Sequence, residues 1–218
     1  MIEILQEEVK AGDTKTRILD AAEALFADKG FEATSLRDIT STARVNLAAV
    51  NYHFHSKDGL IDAVIARRMQ PITKKRLELL DAAGPNPSID QVVEAFLVPV
   101  AAAAEGKMLH LAQMFGRMLA TPDQFRERIV SKHLEKSMIR FREAFARAVP
   151  HLSERERNWR FHFMAGVLSH VMVFAHILPE LSGGLCDLSE PRQVANLMKT
   201  FLVGGYQAPA TDGRPEIG

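Results

Sequence analysis

Most side chains suited to chemistry stand in one stretch near the amino end. Residues 35 to 57 hold Ser35, Arg37, Arg44, Asn46, Asn51, Tyr52, His53 and Lys57, with two small residues, Ala48 and Ala49, among them. These types suit reversible recognition of a nucleic acid. An asparagine amide can pair with adenine and an alanine methyl can touch a thymine methyl, while hydroxyl and cationic groups bind phosphate oxygens. A second set would suit metal or nucleophilic chemistry: His162, His170, His176 and the single cysteine, Cys186. At about 100° per residue, steps of eight and six put the later histidines about 80° and then about 240° further round a helix. That does not gather them on one face. There is no Glu-x-x-His pair of the di-iron type and no His-x-x-x-His. Cys186 has no patterned His or Asn partner for a thiol nucleophile. The sequence therefore points to binding, with no catalytic residue, metal or cofactor expected.

The elements that must hold the first set are two short helices. Ser35 opens one, and Asp38 three residues later completes a capping box. Leu36 and Ile39 face inward, Ala43-Arg44-Val45 forms the connection, and Asn46 caps a second helix from Leu47 to about His53. This is the pattern of a helix-turn-helix, whose second helix enters the DNA major groove. Val50 and Phe54 point inward. Ala48, Ala49 and Asn51 are the base-reading candidates, and Ser35 and Arg37, at a helix N-terminus, can bind phosphate.

The run Val45 to Leu60, VNLAAVNYHFHSKDGL, resembles the DNA-binding signature of the TetR/AcrR family of bacterial repressors, over residues 14 to 60. The resemblance implies phosphate contacts at Tyr52, His53 and Lys57. Three departures stand out: the family often has Gly at Arg44, Gly-Thr at Ala48-Ala49 and Tyr at Asn51. A positive φ at Arg44 would cost a non-glycine residue about 1 kcal/mol.

The bulk numbers fit a DNA reader without requiring one. The chain has 218 residues and a net charge of zero, but Arg37, Arg44 and Lys57 against Asp38 leave the reading unit locally basic. One cysteine excludes an internal disulfide, which fits a reducing cytoplasm. No signal peptide is visible at Met1 to Lys10. The most apolar stretch, Phe161 to Leu178, contains three histidines and is not read as a membrane span.

In chain order, residues 1–12 read as a disordered tail and 13–57 as the helix-turn-helix domain. Residues 58–206 read as a helical ligand-binding and dimerisation domain, and 207–218 as a second disordered tail. Asp13 or Thr14 caps a first helix with Ile18, Ala21, Ala22, Leu25 and Phe26 on one face, ended by Gly30. Ser56 starts a long helix to about Ala82, which Pro71 should kink or split. A helix from Ser88 to about Glu105 is interrupted by Pro99, and a methionine-rich helix covers Lys107 to Ala120. A helix follows from Asp123 to about Val149, and another from Ser153 to about Leu178, apolar nearly all round from Phe161. The last helix starts at Ser189. The fold class is all-α.

The C-terminal part should hold an effector pocket, as the resemblance implies. Phe96, Met108, Leu111, Met114, Phe115, Met118, Phe141, Phe163 and Met164 are candidate lining residues, with plain core as the alternative for each. Arg117 and His110 could hold a carboxylate or phosphate head group. The segments NLAAVNYHF with Gly59-Leu60, and Asn158 to Gly166, look like the fatty-acid-responsive branch of the family, in which Gly often stands at His55. That likeness implies a fatty acid or acyl-CoA effector. A homodimer through the last two helices would set two recognition helices in successive major grooves of operator DNA. The competing readings are an effector-independent DNA-binding protein and a helical metal enzyme.

Overall fold

A computed structural model describes residues 2–104, 127, 131–186 and 189–211. All regular structure among them is helical: α1 Ile2–Lys29, α2 Leu36–Ala43, α3 Leu47–Phe54, α4 Lys57–Ala82, α5 Ile89–Ala104, α6 Glu135–Ala148, α7 Glu154–Phe174, α8 Leu178–Leu181 and α9 Pro191–Gln207. A 3₁₀ turn, Ala175–Ile177, joins α7 to α8.

Two apolar clusters organise the chain. The first packs Ile18, Ala22 and Phe26 of α1 against Ile39, Val50, Phe54 and the α4 residues Leu60, Val64 and Ile65. The stripe expected on α1 and the inward face expected on α4 are therefore the buried ones. Arg67 pairs with Asp20 at 2.6 Å and Arg68 with Glu23, which fastens α4 to α1 on the outside. The second cluster joins Leu80 and the α5 residues Val92, Val93 and Phe96 to Phe141, Phe145, Met164, Leu202 and Tyr206. α9 lies along α5, where Lys199 bridges Asp90 at 2.8 Å and Glu94 at 2.6 Å.

Several boundaries differ from the sequence reading. α1 begins at Ile2, not at Asp13, so residues 2–12 are helix and not a disordered tail. Leu, Gln, Glu, Lys and Ala dominate that stretch, and such residues lose little freedom in a helix. Of the kink or split expected at Pro71 the split does not occur, since α4 stays one helix through it, and α5 is not interrupted at Pro99. In each case only one backbone bond is lost, and buried faces on both sides hold the helix together. The helix expected over 123–149 is divided by Leu134, whose φ of −120° falls outside the helical range. The last helix starts at Pro191, with Glu190 at the cap position, and not at Ser189. Proline suits that first helical position because its missing N–H would have no partner there.

The tail expected from residue 207 is ordered at its start. Arg160 donates to the carbonyls of Gly205 (2.7 Å), Tyr206 (3.1 Å), Ala208 (2.9 Å) and Pro209 (2.9 Å). Thr211 donates through N–H and hydroxyl to Glu156 Oε1 at 3.0 and 3.1 Å. Burial pushes the Glu156 carboxyl up, but hydrogen bonds from Arg160 and Thr211 outweigh it and hold the group below the usual carboxylate range. Among the described residues no helix is long and apolar enough to cross a membrane.

Candidate nucleic-acid interface

The helix-turn-helix is built from local caps. Ser35 Oγ accepts from the Asp38 N–H at 3.1 Å, and the Asp38 carboxylate accepts from the Ser35 N–H at 2.9 Å. The expected capping box is complete. Arg44 ends α2 in the left-handed region, at φ 54° and ψ 50°. Asn46 Oδ1 accepts from the Ala49 N–H at 2.9 Å and starts α3. Ser56 Oγ accepts from the Gly59 N–H at 3.0 Å and starts α4.

Two contacts fix how these helices meet, one long-range and one local. Arg17 on α1 donates to the carbonyls of Ala43 and, at 2.9 Å, Arg44. Carbonyls at a helix C-terminus lack an intrahelical partner, and the two hydrogens of one guanidinium nitrogen can serve both. At the other end, the fully buried Thr34 donates to the Gly30 carbonyl at 2.8 Å and ties the α1–α2 connection to the end of α1. The sequence reading missed both Arg17 and Thr34, whose partners are identified only by the folded backbone.

α3 presents one face outward. Val50 and Phe54 are buried, as expected, and Ala48, Asn51 and Tyr52 are exposed, Tyr52 by 76%. Tyr52 and His53 meet edge to face, with centroids 4.9 Å apart. Arg37, Arg44, Asn46 and His55 are exposed nearby, and His53 is half-buried.

Three predicted contacts are placed differently. Ala49 is half-buried and packs on the first cluster, so it does not share the open face of Ala48. The two are 100° apart round the helix, and the inward stripe of Val50 and Phe54 takes Ala49 with it. Leu47 stands outward instead, 47% exposed at the first position of α3. Its place directly after the Asn46 cap was the available signal. The Ser35 hydroxyl donates to Asp38 Oδ2 at 2.6 Å, so it is engaged at the cap and not open to an anion. That bond and the Ser35 N–H also hold the Asp38 carboxyl below its usual range, keeping a negative charge there. Lys57 donates to the Glu32 carbonyl at 3.1 Å from a partly exposed position. An ammonium has three donors, so that bond leaves others for a phosphate.

Of the effector candidates, Phe96, Phe141 and Met164 are brought together in the second cluster, with the Phe96 and Phe141 rings in edge contact at 5.3 Å. Phe163 is not with them. It points out of α7, 58% exposed and stacked on Trp159, because it lies 100° from Met164 round the helix. Met108, His110, Leu111, Met114, Phe115, Arg117 and Met118 lie outside the described residues. A groove of about 930 Å³ runs between α7 and α9, lined by Trp159, Phe163, Val167 and Phe201, with Ala208 and Pro209 on one wall. Among the described residues, no three His, Cys, Asp or Glu side chains converge as metal ligands.

Residues 18–64 match the family described as bacterial regulatory proteins, tetR family. Residues 94–205 match that described as tetracyclin repressor-like, C-terminal domain. The chain is 34% identical over 84 residues to the probable HTH-type transcriptional regulator YttP of Bacillus subtilis, 38% of this chain and 39% of that protein. Against the HTH-type transcriptional regulator UidR of Escherichia coli it is 26% identical over 127 residues, 58% of this chain and 62% of the other. The alignments thus span less than two thirds of these relatives. Among solved structures, the regulator PfmR from Thermus thermophilus superposes with a TM-score of 0.63 at 17% identity, covering 86% of this chain and 94% of that one. The fatty acid degradation regulator FadR from Bacillus halodurans gives 0.63 at 15% identity, over 89% and 96%.

Proposed function

Because the chain belongs to the TetR family of bacterial regulatory proteins, we propose that it is a homodimeric repressor that binds operator DNA through α3 and is released by a small apolar effector. The observation that carries this reading is the split character of α3. Val50 and Phe54 anchor it, while Leu47, Ala48, Asn51 and Tyr52 form an open face whose small Ala48 lets the backbone approach base edges. Asn51 and Ala48 read bases, with Leu47 beside them. Tyr52, His53, Lys57, Arg37 and Arg44 meet phosphates. Residues 13–57 act as the reading head, and residues 58–206 as the effector-binding and dimerising part.

Dimerisation follows from an apolar face that a lone subunit leaves in water. Trp159, Phe163 and Phe174 on α7 and Leu197 and Phe201 on α9 are all at least 47% exposed. Contiguous exposed apolar surface of this kind marks an interaction site. The two helices with their symmetry mates would make a four-helix interface. An effector that favours a subunit conformer with the wrong separation between the two heads lowers operator affinity through the shared equilibrium. The residue resemblance in α3 and at Asn158 to Gly166 supports a fatty acid or acyl-CoA as that effector.

A gel shift on the DNA upstream of the protein's own gene, with and without dodecanoate and dodecanoyl-CoA, tests the reading. A shifted band that the acyl compound releases is expected. No shift on any upstream fragment removes the operator reading, and a shift indifferent to both compounds leaves an effector-independent DNA-binding protein.

A further inference from the structure

Arg76 is out of place for a surface-charged helix. It lies on α4 between the two apolar clusters, with Ile72 in the first cluster on one side and Leu80 in the second on the other, and is only 4% exposed. Its guanidinium lies over the Phe96 ring, 3.9 Å from the centroid, and Nε donates to the Phe96 carbonyl at 2.9 Å. Among the described residues, no carboxylate pairs with it and no acceptor meets its terminal N–H groups. A guanidinium has five donors, and a buried cation is costly unless paired. Burial alone pushes this one down to about 10.

A second group on the same face is also without a partner. Thr73 stands three residues before Arg76, which makes the two neighbours on the helix surface. Its Oγ1 is buried and has no hydrogen-bond partner. Helical threonines commonly satisfy this group on the carbonyl four residues back, and Thr73 does not. A cation whose terminal N–H groups meet no acceptor among the described residues and an unpartnered hydroxyl therefore lie one helical turn apart, with Phe96, Phe141 and Met164 in the apolar cluster beyond.

We propose that Arg76 and Thr73 form an anion site that takes the carboxylate of a free long-chain acid. The assignment rests on the effector reading above and narrows it. A carboxylate accepts from the two terminal guanidinium nitrogens together, and a remaining lone pair accepts from the Thr73 hydroxyl. A CoA thioester is neutral where its chain begins and carries its phosphates far from that point. It therefore offers Arg76 no charge, and the free acid is the better ligand.

Calorimetric titration of the full chain with dodecanoate, dodecanol and dodecanoyl-CoA tests this. Wild type should bind dodecanoate at least about tenfold more tightly than either neutral-ended compound, the scale of one charge-assisted hydrogen bond. In Arg76→Met the acid and the alcohol should bind within about twofold of each other. An acid preference that survives Arg76→Met, or a thioester bound by wild type as tightly as the acid, overturns the site. A purely structural Arg76 would instead weaken acid and alcohol alike. Should Arg76→Met fail to fold, Thr73→Val keeps the guanidinium. Its acid preference should fall about threefold, and an unchanged preference again overturns the site. If all three compounds bind equally, the anion site falls and the acyl effector stands. If none binds, both fall.

Discussion

Gly59 passes so close beneath Phe54 that a methyl group on its Cα would lie 2.2 Å from the Phe54 carbonyl oxygen. The end of α3 and the first turn of α4 meet backbone to backbone, and only glycine permits it. Gly59→Ala must push the two helices apart. It should cost about 1–3 kcal/mol in thermal or urea unfolding, and the displaced α3 should lose operator affinity in the same preparation. Wild-type stability in this variant would contradict the packing described.

Arg44 holds a left-handed backbone at φ 54° that glycine adopts freely. Arg44→Gly should raise stability by about 0.5–1 kcal/mol, the relief being partly offset by a more flexible unfolded chain. It also removes a cation from the reading face. The logarithmic salt dependence of DNA binding should therefore become shallower by about one unit for each phosphate that Arg44 neutralises. A lower melting temperature would show that the Arg44 side chain makes a stabilising contact.

Within α3 the base and phosphate roles separate by experiment. Asn51→Ala should relax preference at one operator position, whereas Tyr52→Ala should weaken all sequences alike. Ala48→Leu should abolish recognition at unchanged melting temperature, because Ala48 faces solvent. Ala49→Leu should lower the melting temperature, because Ala49 packs on the core. Binding-site selection on each variant, beside its unfolding curve, checks the set.

Leu197 and Phe201 are 68% and 69% exposed on one face of α9. The double variant Leu197→Glu, Phe201→Glu should be monomeric by light scattering at micromolar concentration and should lose operator binding by more than its intact fold explains. A dimer of unchanged mass would place the interface elsewhere.

The clasp on the C-terminal segment should depend on pH. The folded Glu156 carboxyl sits below its ordinary 4.5, so its contribution is fully present above that value and is lost as pH falls through the lower folded one. Between neutral pH and about 5 the melting temperature should owe nothing to its titration. Below that, wild type should lose stability faster than Glu156→Gln, with residues 208–211 becoming open to protease. Parallel acid limbs in the two proteins would remove the assignment.

Features governed by near neighbours were legible in the sequence. The caps at Ser35, Asn46, Ser56 and Ser88 each depend on partners within three residues, and all four are present. The inward stripe of α3, Val50 and Phe54, lies where the sequence places it, but the edges of that stripe, with Ala49 half-buried and Leu47 exposed, depend on packing against α1 and α4. The hold of Arg17 on the α2 end and of Arg76 on Phe96 spans 27 and 20 residues. The clasp of Arg160 on Pro209 spans 49. No local pattern announces such pairs.

The unbroken run of α4 past Pro71 has a mechanical consequence. From Arg76 back to Lys57 the helix is about 29 Å long at 1.5 Å per residue. A rigid rod of that length, tipped by about 5° at its inner end, carries its outer end through about 2.5 Å. Two such rods in a symmetric pair would swing in mirrored senses and double the error. Against a groove repeat of about 34 Å, a small tilt at the inner end of each helix would thereby be geared up into a misfit of several ångströms at the duplex.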